Sequence, residues 1–276
     1  MKHLTIVALL ALGASSHVLA AGYDDFSRGL TANNRDESDK AIAAFTAALA
    51  AGDLNRNFIP NAYAGRAVAN WRMKDCAKAL DDIDAATKLR PPDSQLLELR
   101  GFVHLCLNQP KLADIDYSEL IANSPDNTNH RARALARLQD ADADGAIADI
   151  EEILKDDPKE IYSILWLEMV RLRAGRLDPT KIKDDIPPLS LLKWPAPIFD
   201  LYGGKIDANA VQAAAARGDD YSAKGQQCEA DFYVAEWMMA KQDRPGAKVL
   251  FQKALDVCPH SFVEYPAAQI ESYQFK

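Results

Sequence analysis

Long apolar runs are missing from this sequence. Beyond the first twenty residues no stretch approaches 18 consecutive apolar residues, so no helix is expected to span a membrane. Cys-x-x-Cys is missing, which removes zinc ribbons and thioredoxin-like redox chemistry. Gly-x-Ser-x-Gly, His-Glu-x-x-His and a phosphate-cradling glycine loop are missing as well, and with them the commonest hydrolase, metalloprotease and nucleotide-binding signatures. Beyond residue 20 the histidines are His104, His130 and His260, far apart and with no partner at i+3 or i+4. Their expected roles are structural. No cofactor, no metal site and no enzymatic activity are expected. There is no basic stripe either: 40 acidic residues face 32 Lys and Arg, a net charge of −8, which argues against nucleic acid and anionic membrane surfaces as partners.

The first twenty residues read as a secretory signal peptide. Lys2 and His3 precede the apolar run Leu4–Leu12, and Val18-Leu19-Ala20 suits cleavage after Ala20. The next residue is Ala21, not Cys, so no lipid anchor is expected. The mature chain would be periplasmic. Four cysteines in an exported chain suggest disulfides, and the pairs Cys76/Cys106 and Cys228/Cys258 share a spacing of 30.

Glycine is sparse, and apolar residues recur at three and four, the period of helices. The chain also repeats itself. "WRMKDCAKALDDIDAATKLRP", moved by 34 residues, meets "CLNQPKLADIDYSELIANSP": Ala79 falls on Ala113, Ile83 on Tyr117, Ala86 on Leu120 and Pro91 on Pro125. Arg28-Gly29, Ala41, Phe45 and Ala48 form an earlier unit. Arg133-Ala134, Ala146, Ile150, Ile153 and Pro158 form a later one, and Ala235, Ala247, Phe251, Ala254 and Pro259 a fifth. This pattern resembles the tetratricopeptide repeat, a 34-residue helix hairpin with small residues at positions 8 and 20, a filler at 24 and proline at 32. The implied fold is all-α, a right-handed solenoid of antiparallel hairpins closed by a C-terminal capping helix. The expected organisation is a signal peptide over 1–20, four repeats over 21–159, an irregular helical region with a proline-rich excursion over 160–227, and a fifth repeat with the cap over 228–276.

The repeat register also decides how to read "DADADGAIADIE", Asp140 to Glu151, whose spacing is that of an EF-hand calcium loop. In the repeat, the second helix starts near Ala143 or Asp144, and a calcium loop needs irregular backbone there. Acidic residues at a helix start suit the macrodipole without any metal.

From Trp194-Pro195 through Tyr202, Glu229, Phe232-Tyr233 and Phe251 to His260-x-Phe262-Val263-Glu264, the C-terminal part resembles the NlpI-type envelope lipoproteins. That family comprises dimeric adaptors that bring peptidoglycan hydrolases to a processing protease. The resemblance implies an envelope scaffold, with other envelope proteins or peptides as partners and a homodimer as its oligomeric state. The missing lipid-bearing cysteine departs from the family.

Stacked hairpins of this type present their first helices on one face, where positions 2, 5, 9, 12 and 13 are available to a bound segment. The candidate groove residues are Asn61, Val68, Trp71 and Arg72, then Gln95, Glu98 and Phe102, then Arg131. Aromatic residues at helical spacing serve core packing as readily as binding, so both readings stay open for Trp71 and Phe102. Arg recurs at position 7 (Arg28, Arg66, Arg100, Arg133) and Asp at position 23 (Asp82, Asp116, Asp149). Repeated ion pairs are expected, each exposed pair contributing under about 1 kcal/mol. Cys228 and Cys258 fall at the two ends of one hairpin, and Cys76 and Cys106 at neighbouring helix ends. The expected function is a periplasmic scaffold for envelope proteins. The alternative is a carrier or export-machine subunit that handles outer-membrane protein segments or components of polysaccharide synthesis.

Overall fold

The computed structural model describes residues 15–186, 193–217 and 222–275. The basic start and apolar run expected of a signal peptide lie outside them. The described residues form helices and contain no strand: α1 (Ser15–Asn34), α2 (Ser38–Ala50), α3 (Ile59–Arg72), α4 (Cys76–Leu89), α5 (Ser94–Cys106), α6 (Pro110–Asn123), α7 (Asn127–Gln139), α8 (Ala143–Leu154), α9 (Ile161–Arg173), α10 (Ile182–Asp185), α11 (Ala196–Tyr202), α12 (Ala208–Ala215), α13 (Ser222–Ala240), α14 (Arg244–Val257) and α15 (Glu264–Ser272). A 3-10 turn, Tyr273–Phe275, follows. The chain divides into two compact units, the first ending at Val103 and the second starting at His104. In the first, α1 pairs with α2, α3 with α4, and α2 packs on α3. In the second, α7 pairs with α8 and α13 with α14, while α6 packs on α7 and α8 on α9.

One turn geometry recurs inside the hairpins. Asp36, Lys74, Asn108, Ala141 and Gln242 all have φ near +60°, each two residues before a second helix begins. Aspartates cap three of those helices from the N-cap: Asp75 accepts from the Lys78 amide (3.3 Å), Asp142 from Gly145 (3.0 Å) and Asp243 from Gly246 (3.0 Å). The carboxylates of the calcium-like stretch are therefore used otherwise. Asp142 caps α8, which is helical from Ala143, and Asp144 pairs with Arg176.

The second helices bury the same three positions: Ala41, Phe45 and Ala48; Ala79, Ile83 and Ala86; Ala113, Tyr117 and Leu120; Ala146, Ile150 and Ile153; Ala247, Phe251 and Ala254. Spacing of i, i+4, i+7 puts each trio on one helix face. The central large side chain fills the space that the small ones open. Phe45 shows why: a Cβ on Gly29 or Gly65 would stand 2.7 or 2.4 Å from its ring, so α1 and α3 close on it only because both carry glycine there.

The recurring arginine is pinned more deeply than the sequence suggests. Arg66 holds Asp82 with two bonds (2.9 and 2.7 Å) and also donates to Thr46 Oγ1 in the preceding hairpin (3.0 Å). Arg133 repeats this with Asp149 (2.5 Å) and Ser118 Oγ (2.9 Å). Asp82 is only 5 % exposed and Asp149 2 %. These are buried pairs, not the exposed ones expected, because the carboxylate sits beneath the arginine at the joint of two hairpins. Arg28, in the first repeat, pairs instead with Asp25 on its own helix.

Cys228 and Cys258 are bonded, with Cα atoms 4.7 Å apart. Cys228 lies in the second turn of α13 and Cys258 caps the end of α14, so the bond ties one hairpin to itself. No free cysteine occurs among the described residues.

After α9 the pattern changes. Helices α11 and α12 stand between α9 and α13 where a second helix would be. The C-terminal helix α15 packs on α14, and also on α7 and α13. It is fastened by buried polar groups. Tyr233 Oη donates to Glu264 Oε1 (2.9 Å), and Arg173 Nη1 donates to Glu271 Oε2 (3.2 Å) and to Glu236. Nearby, Trp194 Nε1 and Tyr162 Oη both donate to Glu229 Oε2. Burial raises the Glu229 carboxyl to about 7, against the smaller opposing effect of its Trp194 donor. Burial raises Glu236 and Glu264 as well.

Two outcomes are expected. Arg66→Met should lower stability by about 3 kcal/mol in urea unfolding, because it strands a buried carboxylate, and adding Asp82→Leu should recover at least half. A single-mutant loss below about 1 kcal/mol would mean the pair is no more than a surface contact. The raised carboxyls act on pH dependence in the opposite sense to ordinary acid denaturation. The folded state keeps protons that the unfolded state loses above about pH 4.5, so stability falls as pH rises from there towards 7. The melting temperature should therefore be higher at pH 5.5 than at pH 8, and Glu229→Gln should flatten that slope. A melting temperature that rises over this range contradicts the assignment.

Candidate protein-binding groove

The first helices of the first unit, α1, α3 and the start of α5, enclose a concavity of about 870 Å³. The helical period puts positions 2, 5, 9 and 13 of α1 and of α3 along it. From α3 come Asn61, Ala64, Val68 and Arg72, and from α5 comes Gln95. Four of the predicted groove residues, Asn61, Val68, Arg72 and Gln95, thus line one cavity. Positions 2, 5, 9, 12 and 13 of α1 supply Tyr23, Phe26, Leu30, Asn33 and Asn34, which are not among the predicted groove residues. The rule that found Asn61 and Val68, applied to the first repeat, names all five.

The floor is aromatic. Phe58 stacks at 5.5 Å on Tyr23 and 5.4 Å on Phe26, and Phe26 meets Phe45 at 6.0 Å. Tyr23 and Leu30 stay 53 % and 42 % exposed on the wall. The polar groups are held. Arg72 Nη1 donates to the Asn33 carbonyl (2.7 Å) and pairs with Asp36 (3.1 Å), which closes the turn after α1. Arg90 pairs with Asp93 (3.1 Å) at the rim. Asn33 Nδ2 donates to the Gly65 carbonyl (2.8 Å), while its Oδ1 accepts no hydrogen bond among the described residues. The lining therefore offers aromatic and aliphatic surface, the carboxamides of Asn34, Asn61 and Gln95, and arginines already neutralised by aspartates. Such a surface can seat apolar side chains and hydrogen-bond a polypeptide backbone.

The remaining predicted residues are placed differently. Trp71 stacks on Phe102 at 5.6 Å, and Phe102 is 8 % exposed, so this pair packs helix against helix. Glu98 is half-buried and does not line the cavity. Arg131 belongs to the second unit. It donates to Ser163 Oγ (3.2 Å), lies over the Trp166 ring (5.7 Å), and its charge acts on Glu264 of α15. His104 is buried between Gln109 (2.8 Å) and Asp116 (3.5 Å), His130 contacts Asp149 (3.2 Å), and His260 stacks on Tyr265. Among the described residues no group of three His, Cys, Asp or Glu side chains could hold a metal ion, and no helix is long and apolar enough to cross a membrane.

The chain matches no protein-family model. Over 86 residues it is 30% identical to the meiotically up-regulated gene 93 protein of Schizosaccharomyces pombe (strain 972 / ATCC 24843). That stretch is 31% of this chain and 22% of the yeast protein, so the chain spans about a fifth of that curated relative. Among solved structures it is similar to a tetratricopeptide repeat protein from Parabacteroides merdae ATCC 43184, with a TM-score of 0.56 at 15% identity, covering 92% of this chain and 99% of that one. It is also similar to PilW, a widely conserved type IV pilus biogenesis factor, with a TM-score of 0.50 at 15% identity, covering 89% and 97%. At this identity the likeness concerns the fold, and it agrees with the recurring turns, buried trios and arginine pins: the chain is an all-α protein with the fold of the tetratricopeptide-repeat proteins.

Proposed function

We propose that this protein is a non-enzymatic scaffold of the cell envelope, and that it holds a segment of another protein in the groove of its first unit. The observation that carries the reading is the lining itself. Exposed Tyr23 and Leu30 stand beside Val68, and carboxamides from three consecutive first helices converge on one 870 Å³ concavity. A bound segment would place apolar side chains against the aromatic floor and its backbone against the carboxamides. An exported location is supported by the leader-like first twenty residues and by cysteines that are all bonded. The partners proposed are envelope proteins, with peptidoglycan hydrolases or a processing protease favoured by the NlpI-like C-terminal residues. A role in assembly or export machinery is the second reading, favoured by the fold shared with a pilus biogenesis factor.

Capture from envelope extract, followed by affinity measurement with the captured protein, tests this. Val68→Glu and Leu30→Glu should leave helical circular dichroism and melting temperature nearly unchanged. Each should weaken binding by about 2 kcal/mol, roughly thirtyfold. Trp71→Ala should instead lower the melting temperature, because its ring packs on Phe102. Undiminished affinity in both folded glutamate variants would place the site elsewhere. Capture of assembly or secretion proteins rather than murein enzymes would select the second reading.

A further inference from the structure

In the second unit the first-helix face is already covered, by the chain's own C-terminus. Helix α15 contacts α7 and α13, and its Glu271 reaches Arg173 of α9, so it meets the first helix of each hairpin in that unit. On this helix Glu264, Ala267, Ala268 and Glu271, spaced i, i+3, i+4, i+7, are buried along one stripe, and Ile270 is buried beside them. The two carboxyls stand two turns apart: Glu271 pairs with Arg173 on α9 (3.2 Å), and Glu264, which accepts from Tyr233 Oη on α13 (2.9 Å), also feels the charge of Arg131 on α7.

The fit is imperfect in a specific way. Arg173 also serves Glu236 of α13, so two buried carboxyls share one guanidinium. Oε1 of Glu236, Oε1 of Glu271 and Nε of Arg131 take no hydrogen bond among the described residues. A buried polar atom without a partner costs about 1–3 kcal/mol, which offsets part of what the hydrogen bonds fastening α15 contribute. It is also short, nine residues joined to α14 by the few residues after Cys258.

We propose that the α7–α9–α13 face is a receptor for an amphipathic helix carrying two acidic residues two turns apart, and that α15 is its built-in, displaceable occupant. The partner is a helix of another protein with that pattern, which takes the place of α15 on Arg131 and Arg173. This surface shares no residue with the lining of the first unit's groove and takes a helix rather than an extended backbone.

The test uses the full chain and a fluorescein-labelled synthetic peptide with the sequence of residues 260–275. Ile270 is buried, so Ile270→Asp should weaken docking of the chain's own helix without altering the receptor residues. The peptide should bind the Ile270→Asp chain at least tenfold more tightly than the unaltered chain, since the internal competitor is gone. Adding Arg131→Glu should abolish that gain. Equal binding to both chains with helical circular dichroism intact would overturn the proposal, as would a gain that survives Arg131→Glu. Should Ile270→Asp lose its helicity, hydrogen exchange of the unaltered chain decides. Exchange of α15 amides in an opening of their own, ahead of α13, supports displacement, and exchange of both in one step contradicts it.

Discussion

The joint between hairpins depends on a buried aspartate. Asp82 and Asp149 sit in second helices where water hardly reaches them, and an arginine of the first helix closes over each, with Asn70 adding a donor to Asp82 and Arg137 a second guanidinium to Asp149. The same arginine donates to a hydroxyl of the preceding hairpin, Thr46 or Ser118. One guanidinium thus fixes both the pairing within a hairpin and its seating on the one before. Apolar trios such as Ala41, Phe45 and Ala48 supply the larger burial energy, but alanine-rich faces slide easily past one another. The arginine has one position in which all its partners are satisfied, and that position sets the register.

Register is what makes a binding surface. With α1 and α3 closed on Phe45, and α3 held to α4 through Asp82, positions 2, 5, 9 and 13 of successive first helices come into line. In the first unit the aligned face is open and lined by Tyr23, Leu30, Asn61 and Val68. In the second unit α15 packs on α7 and α13, with Glu264 bonded to Tyr233 and Glu271 to Arg173. The same scaffold logic yields an open concavity in one unit and a face covered by the chain's own helix in the other.

Much of this could be read from the sequence, for reasons that differ by residue. The hairpins were legible because an alanine, a large side chain and a further apolar residue recur at about 34, with proline closing most of the units. The disulfide between Cys228 and Cys258 followed from hairpin geometry. The burial of the arginine pairs was not legible, since an Arg and an Asp sixteen apart look alike on a surface and under a joint. Phe102 was ambiguous for the opposite reason: a first-helix aromatic packs on Trp71 or waits for a ligand, and only the neighbouring helix decides. The cluster around Glu229 and Glu264 draws on Tyr162, Trp194 and Tyr233, residues spread over about a hundred positions and across an irregular excursion. No local period connects them, so their meeting required the fold.

The most direct measurement is site-specific photo-crosslinking in living cells. A benzoylphenylalanine at position 68 reports on the groove, and one at position 89 reports on Leu89, which is exposed at the end of a second helix. The account predicts covalent capture of a partner protein from position 68 and none from position 89. Capture from position 89 alone, with position 68 silent in a folded chain, would contradict it.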